Sequence, residues 1–337
     1  MLSRFQGVVH WLQSSFQPVD WRATAMTGSQ FCKAPLRFFP SHVARNLAAS
    51  LGSTTIAVLC LVTHAKAATP APDTASILTI KTENDVIAHT DQNYTAGLRL
   101  GWTSPSADPM GGEFLPDLLT DVGSFLWGPG RQRISVDLSN TIYTPKDTTL
   151  AIPDPRDRPY AGVMLGTVSL LHDTTASRSV IGLSAGVLGP SARSSNIQNG
   201  WHELIREEVS KGWDYQIKDM FIAEAFATKI WRLGLSPNPG VGIDFDILPS
   251  VAGGIGTLRN FVQVGFQLRV GQGLDSDFGT ARIRLGLSGS DAYTPTRDLA
   301  WYIFAGTNGR AVLWDATLDG NPFRYGPHVS RGCPARC

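Results

Sequence analysis

The amino-acid sequence predicts an all-β protein, a transmembrane antiparallel β-barrel that carries one helix in a loop. Three observations favour this fold class. Segments after about residue 75 alternate apolar and polar side chains, and many are about nine to eleven residues long, enough to cross a bilayer at a tilt. A predicted export signal precedes them. Only Cys333 and Cys337 follow that signal, so we expect neither a disulfide framework nor a cysteine metal site in the body of the chain.

The alternation is clearest in three segments. From Tyr94 to Trp102 the even positions hold Tyr, Ala, Leu, Leu and Trp, while the odd positions hold Thr, Gly, Arg and Gly. Arg133 to Tyr143 and Phe261 to Val270 repeat the pattern, and Arg282 to Ser288 repeats it more briefly. Successive strand side chains point to opposite faces, so each segment has an apolar and a polar face. About nine strands are predicted, near 77–87, 94–104, 131–144, 160–172, 178–188, 219–234, 241–257, 259–271 and 299–318.

Two architectures use such strands, a soluble sandwich with an apolar core and an outer-membrane barrel with an apolar outer band. Charged side chains on the polar face suit a hydrated lumen; they are Arg99, Arg133, Asp137, Arg269, Arg282 and Arg284. Aromatic side chains near strand ends suit an interfacial girdle; they are Tyr94, Trp102, Tyr143, Tyr160, Trp231 and Trp301. Both features favour the barrel.

Residues 1–67 are predicted to be a signal-peptide region. An apolar run, Leu47 to Val62, follows two arginines and precedes Ala65-Lys66-Ala67, which is the order of a secretory signal cleaved after Ala67. The run is too short and too interrupted for a membrane-spanning helix. Because it lies far from Met1, we expect either that Met26 is the true start or that residues 1–36 are an artefact.

The remaining chain divides into two parts. Residues 68–324 are predicted to form the barrel, and residues 325–337 are an atypical tail. The tail ends in SRGCPARC, which does not alternate, so we expect a truncated or frame-shifted end after about Arg324. A net charge of +1 with 17% charged residues offers no basic surface for nucleic acid.

One segment, Gly189 to Trp213, has helical spacing. Ser195 and Gln198 form a capping-box pattern that predicts a helix start, and Lys211-Gly212 predicts its end. Gln198, His202 and Ile205 recur at i, i+4 and i+7, which places them on one face. A helix among strands with Gln and His on one face indicates either a site or a histidine that only packs the helix onto the barrel.

A second polar group lies at the first hairpin. Glu83-Asn84-Asp85 ends one predicted strand and Asp91 to Thr95 begins the next, so both lie at one rim. Carboxylate and amide oxygens suit Ca²⁺. Asn and Asp are also common in hairpin loops, so the alternative that these residues only form the turn stays open. No GxSxG, HExxH, P-loop or Rossmann motif occurs.

Together these motifs resemble one family, the LpxR-type lipid A 3′-O-deacylases of the outer membrane. The resemblance covers residues 76 to 324, and its motifs come in the family's order. They are Glu83-Asn84-Asp85, Asp91 to Trp102, Ile142 to Pro145, Arg158 to Gly162, Gly189 to Ser191, Gln198 to His202 and Gly212 to Gln216. The family's final strands have no counterpart here.

The resemblance implies a twelve-stranded barrel, of which about nine strands are visible, with the helix in an extracellular loop. It implies a Ca²⁺-dependent esterase in the bacterial outer membrane that removes the 3′-linked acyl chains of lipid A in lipopolysaccharide. The residues it assigns to catalysis are Asn84, Thr95, Gln198 and His202, and those it assigns to the metal are Asn84, Asp85 and Glu208. Adjacent Glu207 is an alternative to Glu208.

These residues suggest a mechanism in which His202 takes a proton from the attacking water and Ca²⁺ polarises the ester carbonyl. In a regular strand Asn84 and Asp85 would point to opposite faces, so we expect a bulge or strand end there, or that only one of the two reaches the ion. Two other functions stay open, a non-catalytic porin or structural barrel and a phospholipase with a similar site. A monomer is favoured, though the sequence leaves the oligomeric state undetermined.

Overall fold

The structure, a computed structural model, describes residues 3–6, 69–84, 93–106, 114–234, 242–279, 292–294, 296 and 298–329. The strands are β1 (Ser3–Gln6), β2 (Ser76–Asn84), β3 (Asn93–Thr103), β4 (Arg131–Thr144), β5 (Ala161–Asp173), β6 (Ser177–Leu188), β7 (Met220–Trp231), β8 (Leu233–Gly234), β9 (Asp244–Gly256), β10 (Arg259–Gln272) and β11 (Trp301–Asp315). The helices are α1 (Phe114–Trp127), α2 (Ser194–Ile205) and α3 (Ala316–Asp319), and short 3-10 turns occupy Pro190–Ala192, Gly212–Tyr215 and Leu274–Ser276.

All strands belong to one sheet. From β2 to β11 neighbouring strands pair antiparallel in chain order, except that short β8 pairs with β9 beside β7. Strand β1 pairs in parallel with β2. Each of the nine predicted strands overlaps one of these elements, and their ends agree within three residues wherever both ends are described. The predicted segment Arg282 to Ser288 lies outside the described residues.

The sheet buries its polar face. Buried charged side chains on that face include Lys81, Arg99, Arg133, Asp137 and Arg269. The arginines among them are paired: Arg99 Nη2 lies 2.7 Å from Asp137 Oδ1, Arg133 Nη2 3.0 Å from Asp73 Oδ2, and Arg269 Nη2 2.5 Å from Asp246 Oδ2. Burying unpaired charges would be costly, so these pairs allow a charged interior.

The opposite face is apolar and exposed. Leu78, Ile80, Leu98, Leu100, Trp102, Val136, Leu138, Val262, Val264 and Ile303 all lie there. A soluble sandwich would bury this face and expose the charges, whereas a membrane barrel places apolar side chains against lipid. The prediction of a transmembrane antiparallel β-barrel is therefore confirmed. The faces are those expected from the alternation, except that Tyr94 packs on Tyr143 in the interior. Within the described ranges, no helix is long and apolar enough to cross a membrane.

The barrel interior is not polar throughout. At the end of the barrel where β4 ends and β5 begins, apolar side chains fill it, in a cluster that includes Tyr143, Val163, Leu165, Leu188 and Ile222. These side chains are nearly completely buried. The interior therefore has a polar middle and an apolar layer at this end, which we call the apolar layer.

The prediction that only one segment forms a helix is wrong. Helix α1 lies against β4 and β5 near the barrel end opposite the apolar layer. Its C-terminal Trp127 packs against His172 with ring centroids 5.4 Å apart, and His172 Nε2 is 3.0 Å from the Gly128 carbonyl oxygen. The apolar residues of FLPDLLTDVGSFLW do recur with helical spacing, so this helix had a sequence signal.

Candidate active site

Helix α2 lies on the outer face of the barrel wall. Ser194 Oγ donates a hydrogen bond to Asn140 Oδ1 at 3.0 Å, and Asn140 Nδ2 donates to the Ala192 carbonyl oxygen at 2.9 Å. Asn140 follows the exposed Val136 and Leu138 at a spacing of two, which places it on the same face of β4. The helix therefore packs on the side of the wall that meets lipid, not in the lumen.

Gly162 allows the helix to approach this closely. A Cβ atom at Gly162 would lie 2.4 Å from Ser194 Oγ and 2.5 Å from Ser194 Cβ. Real Cβ atoms do not come this near to other atoms, so a larger residue would displace the start of α2. The glycine thus sets the distance between the helix and β5.

The ends of α2 differ from the predicted ones. The helix begins at Ser194 after Arg193, which has φ 57°, and no side chain caps it. It ends at Ile205, followed by Arg206 with φ 60°, and the Glu207 N–H donates to the His202 carbonyl oxygen at 2.8 Å. The helix starts within one residue of the predicted position, but the predicted capping box does not form. The predicted stop at Lys211-Gly212 is wrong, because left-handed Arg206 ends the helix first.

The buried face of α2 carries Gln198 and His202, as predicted. Ile205, predicted on the same face, lies at its edge and is 37% exposed. His202 Nδ1 lies 2.8 Å from the backbone carbonyl oxygen of Glu208. A carbonyl oxygen only accepts, so Nδ1 carries the proton in this contact and the lone pair of the neutral ring is on Nε2.

The loop that supplies this carbonyl is held against the helix. Asn199 Nδ2 donates to the Ser210 carbonyl oxygen at 3.3 Å, and the Ser210 N–H donates back to Asn199 Oδ1 at 3.1 Å. This reciprocal pair fixes residues 206–210 beneath the last turn of α2. The position of the Glu208 carbonyl, and with it the orientation of His202, is therefore set by the fold.

Gln198 is fixed by aromatic side chains. Trp213 Nε1 donates to Gln198 Oε1 at 2.9 Å, and the Trp213 ring packs on Tyr160 with centroids 4.8 Å apart. Tyr160 and Trp213 form a buried cluster with Ile142, against which Ala96 packs. Ile142 belongs to β4 and Ala96 to β3, so the cluster connects helix α2 to these two strands. Strand β3 also carries Thr95, the next residue with a predicted role.

Thr95 lies at a bulge in β3. The register with β4 shifts between Tyr94 and Ala96, so Thr95 is the extra residue. Its Oγ1 lies 2.7 Å from Thr144 Oγ1, and both residues are buried. Thr144 shares the outer face of β4 with Asn140, so the bulge turns the Thr95 hydroxyl toward the face that carries α2.

The first hairpin ends at the same rim. In neighbouring strands Asn84 pairs with Ala96, Ala96 with Ile142, and Ile142 with Gly162. At about 4.8 Å per strand, roughly 14 Å separate the backbone of Asn84 from that of Gly162. The described part of β2 runs to Asn84 without a shift of register, and the bulge at Thr95 in β3 was not predicted. Asp85 lies outside the described residues.

Glu208 contributes its backbone at this site. Its carboxylate Oε1 lies 2.7 Å from Lys211 Nζ, and both side chains are exposed. Across the described ranges, no group of three His, Cys, Asp or Glu side chains could hold a metal ion. The predicted Asn84 and Asp85 are oxygen donors of the kind that Ca²⁺ accepts, so their chemistry fits that ion.

A buried arginine braces the loop that precedes β5. The Arg158 guanidinium lies 4.5 Å from the centre of the Tyr143 ring, and its Nη2 donates to Thr317 Oγ1 at 3.2 Å. Burial lowers the pKa of Arg158 to about 10, so the group keeps its charge at neutral pH. Arg158, Tyr160 and Gly162 lie in one sequence motif; Arg158 packs on Tyr143 in the interior, whereas Tyr160 and Gly162 support helix α2.

Some residues of the site had no role assigned from sequence. They are Asn140, Thr144, Tyr160, Gly162, Ser194 and Trp213, which position α2 and the bulge. Thr144, Tyr160, Gly162 and Trp213 lie within the motifs that carried the resemblance, so that resemblance pointed to them. Asn140 and Ser194 carry no such signal.

The fold and the site together define an outer-membrane barrel with a Gln- and His-bearing helix packed on its lipid-facing wall. A model of the family described as "Outer membrane protein LpxR" matches residues 54–332, most of the chain. The chain belongs to this family of outer-membrane lipid A deacylases.

A solved structure supports the fold. It is LpxR from Salmonella typhimurium, which superposes with a TM-score of 0.55 at 20% sequence identity. The superposition covers 72% of this chain and 75% of the Salmonella chain. At this identity the likeness shows the fold alone. A search of curated protein sequences finds no match.

Proposed function

We propose that this protein is a lipid A 3′-O-deacylase that hydrolyses the esters of the 3′-linked acyl chains in a Ca²⁺-dependent reaction. The observation that carries the proposal is the contact of His202 Nδ1 with the Glu208 carbonyl on the lipid-facing wall. It holds the imidazole in the tautomer that leaves Nε2 able to accept a proton.

The proposed reaction is an ester hydrolysis with His202 as general acid and base. Nε2 takes a proton from water as the water oxygen bonds to the ester carbonyl carbon. The tetrahedral intermediate then expels the 3′-alkoxide, which receives the proton from the imidazolium, and a fatty acid leaves. The Thr95 hydroxyl and the Gln198 amide nitrogen are proposed to orient the substrate by hydrogen bonds.

We propose Asp85 as the main Ca²⁺ ligand, with Asn84 and Glu208 as further ligands. When bound, Ca²⁺ would supply positive charge to the ester carbonyl and to the oxyanion that forms there. The Glu208 carboxylate must leave Lys211 to join such an ion. That exposed pair is worth only about 0–1 kcal/mol, so it is a small obstacle.

The location of the site supports an amphiphilic substrate. Helix α2 packs over Asn140, just beyond the exposed apolar residues Leu138 and Val136 of the lipid-facing band. An acyl chain could stay within the bilayer while its ester reaches the polar groups at the rim. A soluble ester would gain nothing from a site on this wall.

The apolar layer argues against the alternative of a porin. Tyr143, Val163, Leu165, Leu188 and Ile222 fill the interior at one end, whereas a water-filled pore needs a polar passage. These residues therefore favour a barrel that supports a site on its wall.

The test uses the purified protein refolded into detergent micelles. It should release fatty acid from lipid A with Ca²⁺ and not with a chelator, and mass spectrometry should show loss of the 3′-linked chains. Lipid A left intact by a demonstrably folded barrel would overturn the proposal. Fatty-acid release from phospholipid vesicles instead would show a phospholipase.

A further inference from the structure

We propose that one flank of helix α2 is itself a membrane-docking surface, inserted among the acyl chains of the outer leaflet. The flank consists of Ile197, Trp201, Leu204 and Ile205, spaced at i, i+4, i+7 and i+8 along the helix. All four are exposed; Trp201 is 48% and Leu204 73% exposed. Large apolar side chains grouped on one helix flank are typical of a surface that meets lipid or another protein. We call this group the apolar flank.

The rest of α2 explains why this group faces outward. Ser194, Gln198 and His202 form the buried face, which packs on the barrel wall. The apolar flank begins at the edge of that face, at Ile205, and turns away from it. The flank opposite is polar and exposed, with Asn196 and Glu203. The helix therefore has three sides, one on the barrel, one apolar and one polar, which suits an interfacial helix with lipid on one side and water on the other.

The apolar flank continues a surface that already meets lipid. Helix α2 rests on Asn140, and the next outward residue of β4 is Leu138, which is 51% exposed. Leu100 of β3 pairs with Leu138 and is also exposed on this face. The helix thus sits at the edge of the lipid-facing band of the barrel. Lipid is the partner that this continuity favours.

The charges at the two ends of α2 suit the headgroup region. Arg193 precedes the helix and Arg206 follows it, and both side chains are exposed. Arginines next to an apolar flank can keep their stems in the apolar region and their guanidinium groups at lipid phosphates. Trp201 between them has the amphipathic ring that favours a bilayer interface. The occupant that fits all three features is a phosphate-bearing lipid leaflet.

This inference needs only a barrel that sits in the membrane, so it stands whether or not the protein hydrolyses esters. Its consequence for the site is geometric. Because the apolar flank and His202 belong to one helix of 12 residues, insertion of the flank fixes the depth of the imidazole relative to the lipid esters. The bilayer would then help to hold the helix in place.

The test measures the depth of single nitroxide labels. All four cysteines (Cys32, Cys60, Cys333 and Cys337) are replaced by serine, and a label is attached at Leu204→Cys or at Glu203→Cys as the matched control. The full chain is reconstituted in phosphatidylcholine vesicles, and folding is checked by its heat-modifiable migration on gels. We expect the label at 204 to collide with dissolved oxygen and not with an aqueous nickel chelate, and the label at 203 to do the reverse.

Two results would overturn the inference. One is a label at 204 that collides with the nickel chelate as often as the label at 203. The other is spin–spin broadening at 204 that disappears when labelled protein is diluted with unlabelled protein, since a second copy would then cover the flank. If Leu204→Cys does not fold, Trp201→Cys reports on the same flank. None of these readouts requires catalysis.

Discussion

The Nδ1 atom of His202 lies 2.8 Å from the backbone carbonyl oxygen of Glu208, six residues further along the chain. This contact determines which ring nitrogen of the neutral imidazole carries the proton. It is a hydrogen bond to a main-chain atom, so it does not depend on the identity of a side chain. The reciprocal pair between Asn199 and Ser210 holds the loop that provides it. The fold therefore orients the imidazole before any substrate binds.

The first prediction concerns His202 as the proton acceptor. His202→Gln should lower kcat by about 10²- to 10⁴-fold, the range usual for a general base, because the amide cannot take a proton from water. The variant should still refold, since glutamine can occupy much of the same volume. Initial rates of fatty-acid release from lipid A measure the effect. His328→Gln is the matched control: that histidine is exposed and contacts the Gly326 carbonyl oxygen and the Tyr325 ring, away from the site, so activity should be unchanged.

Gly162 supports a prediction about helix placement. Gly162→Ala should reduce activity and destabilise the fold by about 1–3 kcal/mol, since the new methyl group would lie 2.4 Å from Ser194 Oγ. The control is Gly166→Ala on the same face of β5, where the nearest atom is the Ala185 carbonyl oxygen at 3.8 Å. Urea unfolding in detergent and the rate of lipid A hydrolysis are measured for both. Equal effects of the two substitutions would contradict the assigned role of Gly162.

The strands could be predicted because alternation leaves a clear mark in the sequence. In β4, for example, Arg133 and Asp137 alternate with Val136 and Leu138, and a shift of one residue would place charges in lipid. That constraint acts on every membrane-facing strand. The ends of α2 could not be predicted in this way. They depend on the left-handed residues Arg193 and Arg206, and arginine gives no sequence signal for that conformation.

The sequence allowed the main residues of the site to be predicted, but not most of the contacts that these residues make. Gln198 and His202 share a face because of their spacing of four, which the helix period dictates. The donor to Gln198, however, comes from Trp213 in a later turn, and the bulge at Thr95 depends on pairing with β4. Contacts between distant segments follow from the tertiary fold. Whether Asn84, Asp85 and Glu208 bind a metal stays a prediction.

Trp213 supports a prediction about Gln198. Trp213→Phe keeps the aromatic contact with Tyr160 but removes the Nε1–H that donates to Gln198 Oε1. Loss of a buried donor should cost about 1–3 kcal/mol of stability and lower kcat more than it raises KM, because Gln198 loses its orientation. Trp301→Phe is the control, because this exposed tryptophan at the start of β11 lies outside the site, and it should leave kcat unchanged. A normal kcat in a folded Trp213→Phe variant would show that Gln198 needs no such support.

The hydroxyl of Thr95 is predicted to act on the substrate. Thr95→Val has nearly the same shape but cannot donate, so kcat/KM should fall about tenfold, as expected for one hydrogen bond worth about 1–1.5 kcal/mol. Thr95→Ser restores the hydroxyl and should recover most of the activity. Thr144→Val removes the neighbouring hydroxyl, which lies 2.7 Å from that of Thr95, and so tests which of the two acts on the substrate. If Thr144→Val lowers kcat/KM and Thr95→Val does not, the hydroxyl that matters belongs to Thr144.

The last prediction concerns the metal. A chelator should abolish activity, and added Ca²⁺ should restore it. Asp85→Asn should raise the Ca²⁺ concentration needed for half-maximal activity by more than tenfold, since it removes the charge of the main proposed ligand. Glu208→Gln should raise it less, because that carboxylate must first leave Lys211, while its carbonyl contact with His202 is unaffected. Glu207→Gln is the matched neighbour and should leave the Ca²⁺ requirement unchanged. If Glu207→Gln raises the requirement and Glu208→Gln does not, the ligand is Glu207; if neither does, both glutamates lie outside the metal site.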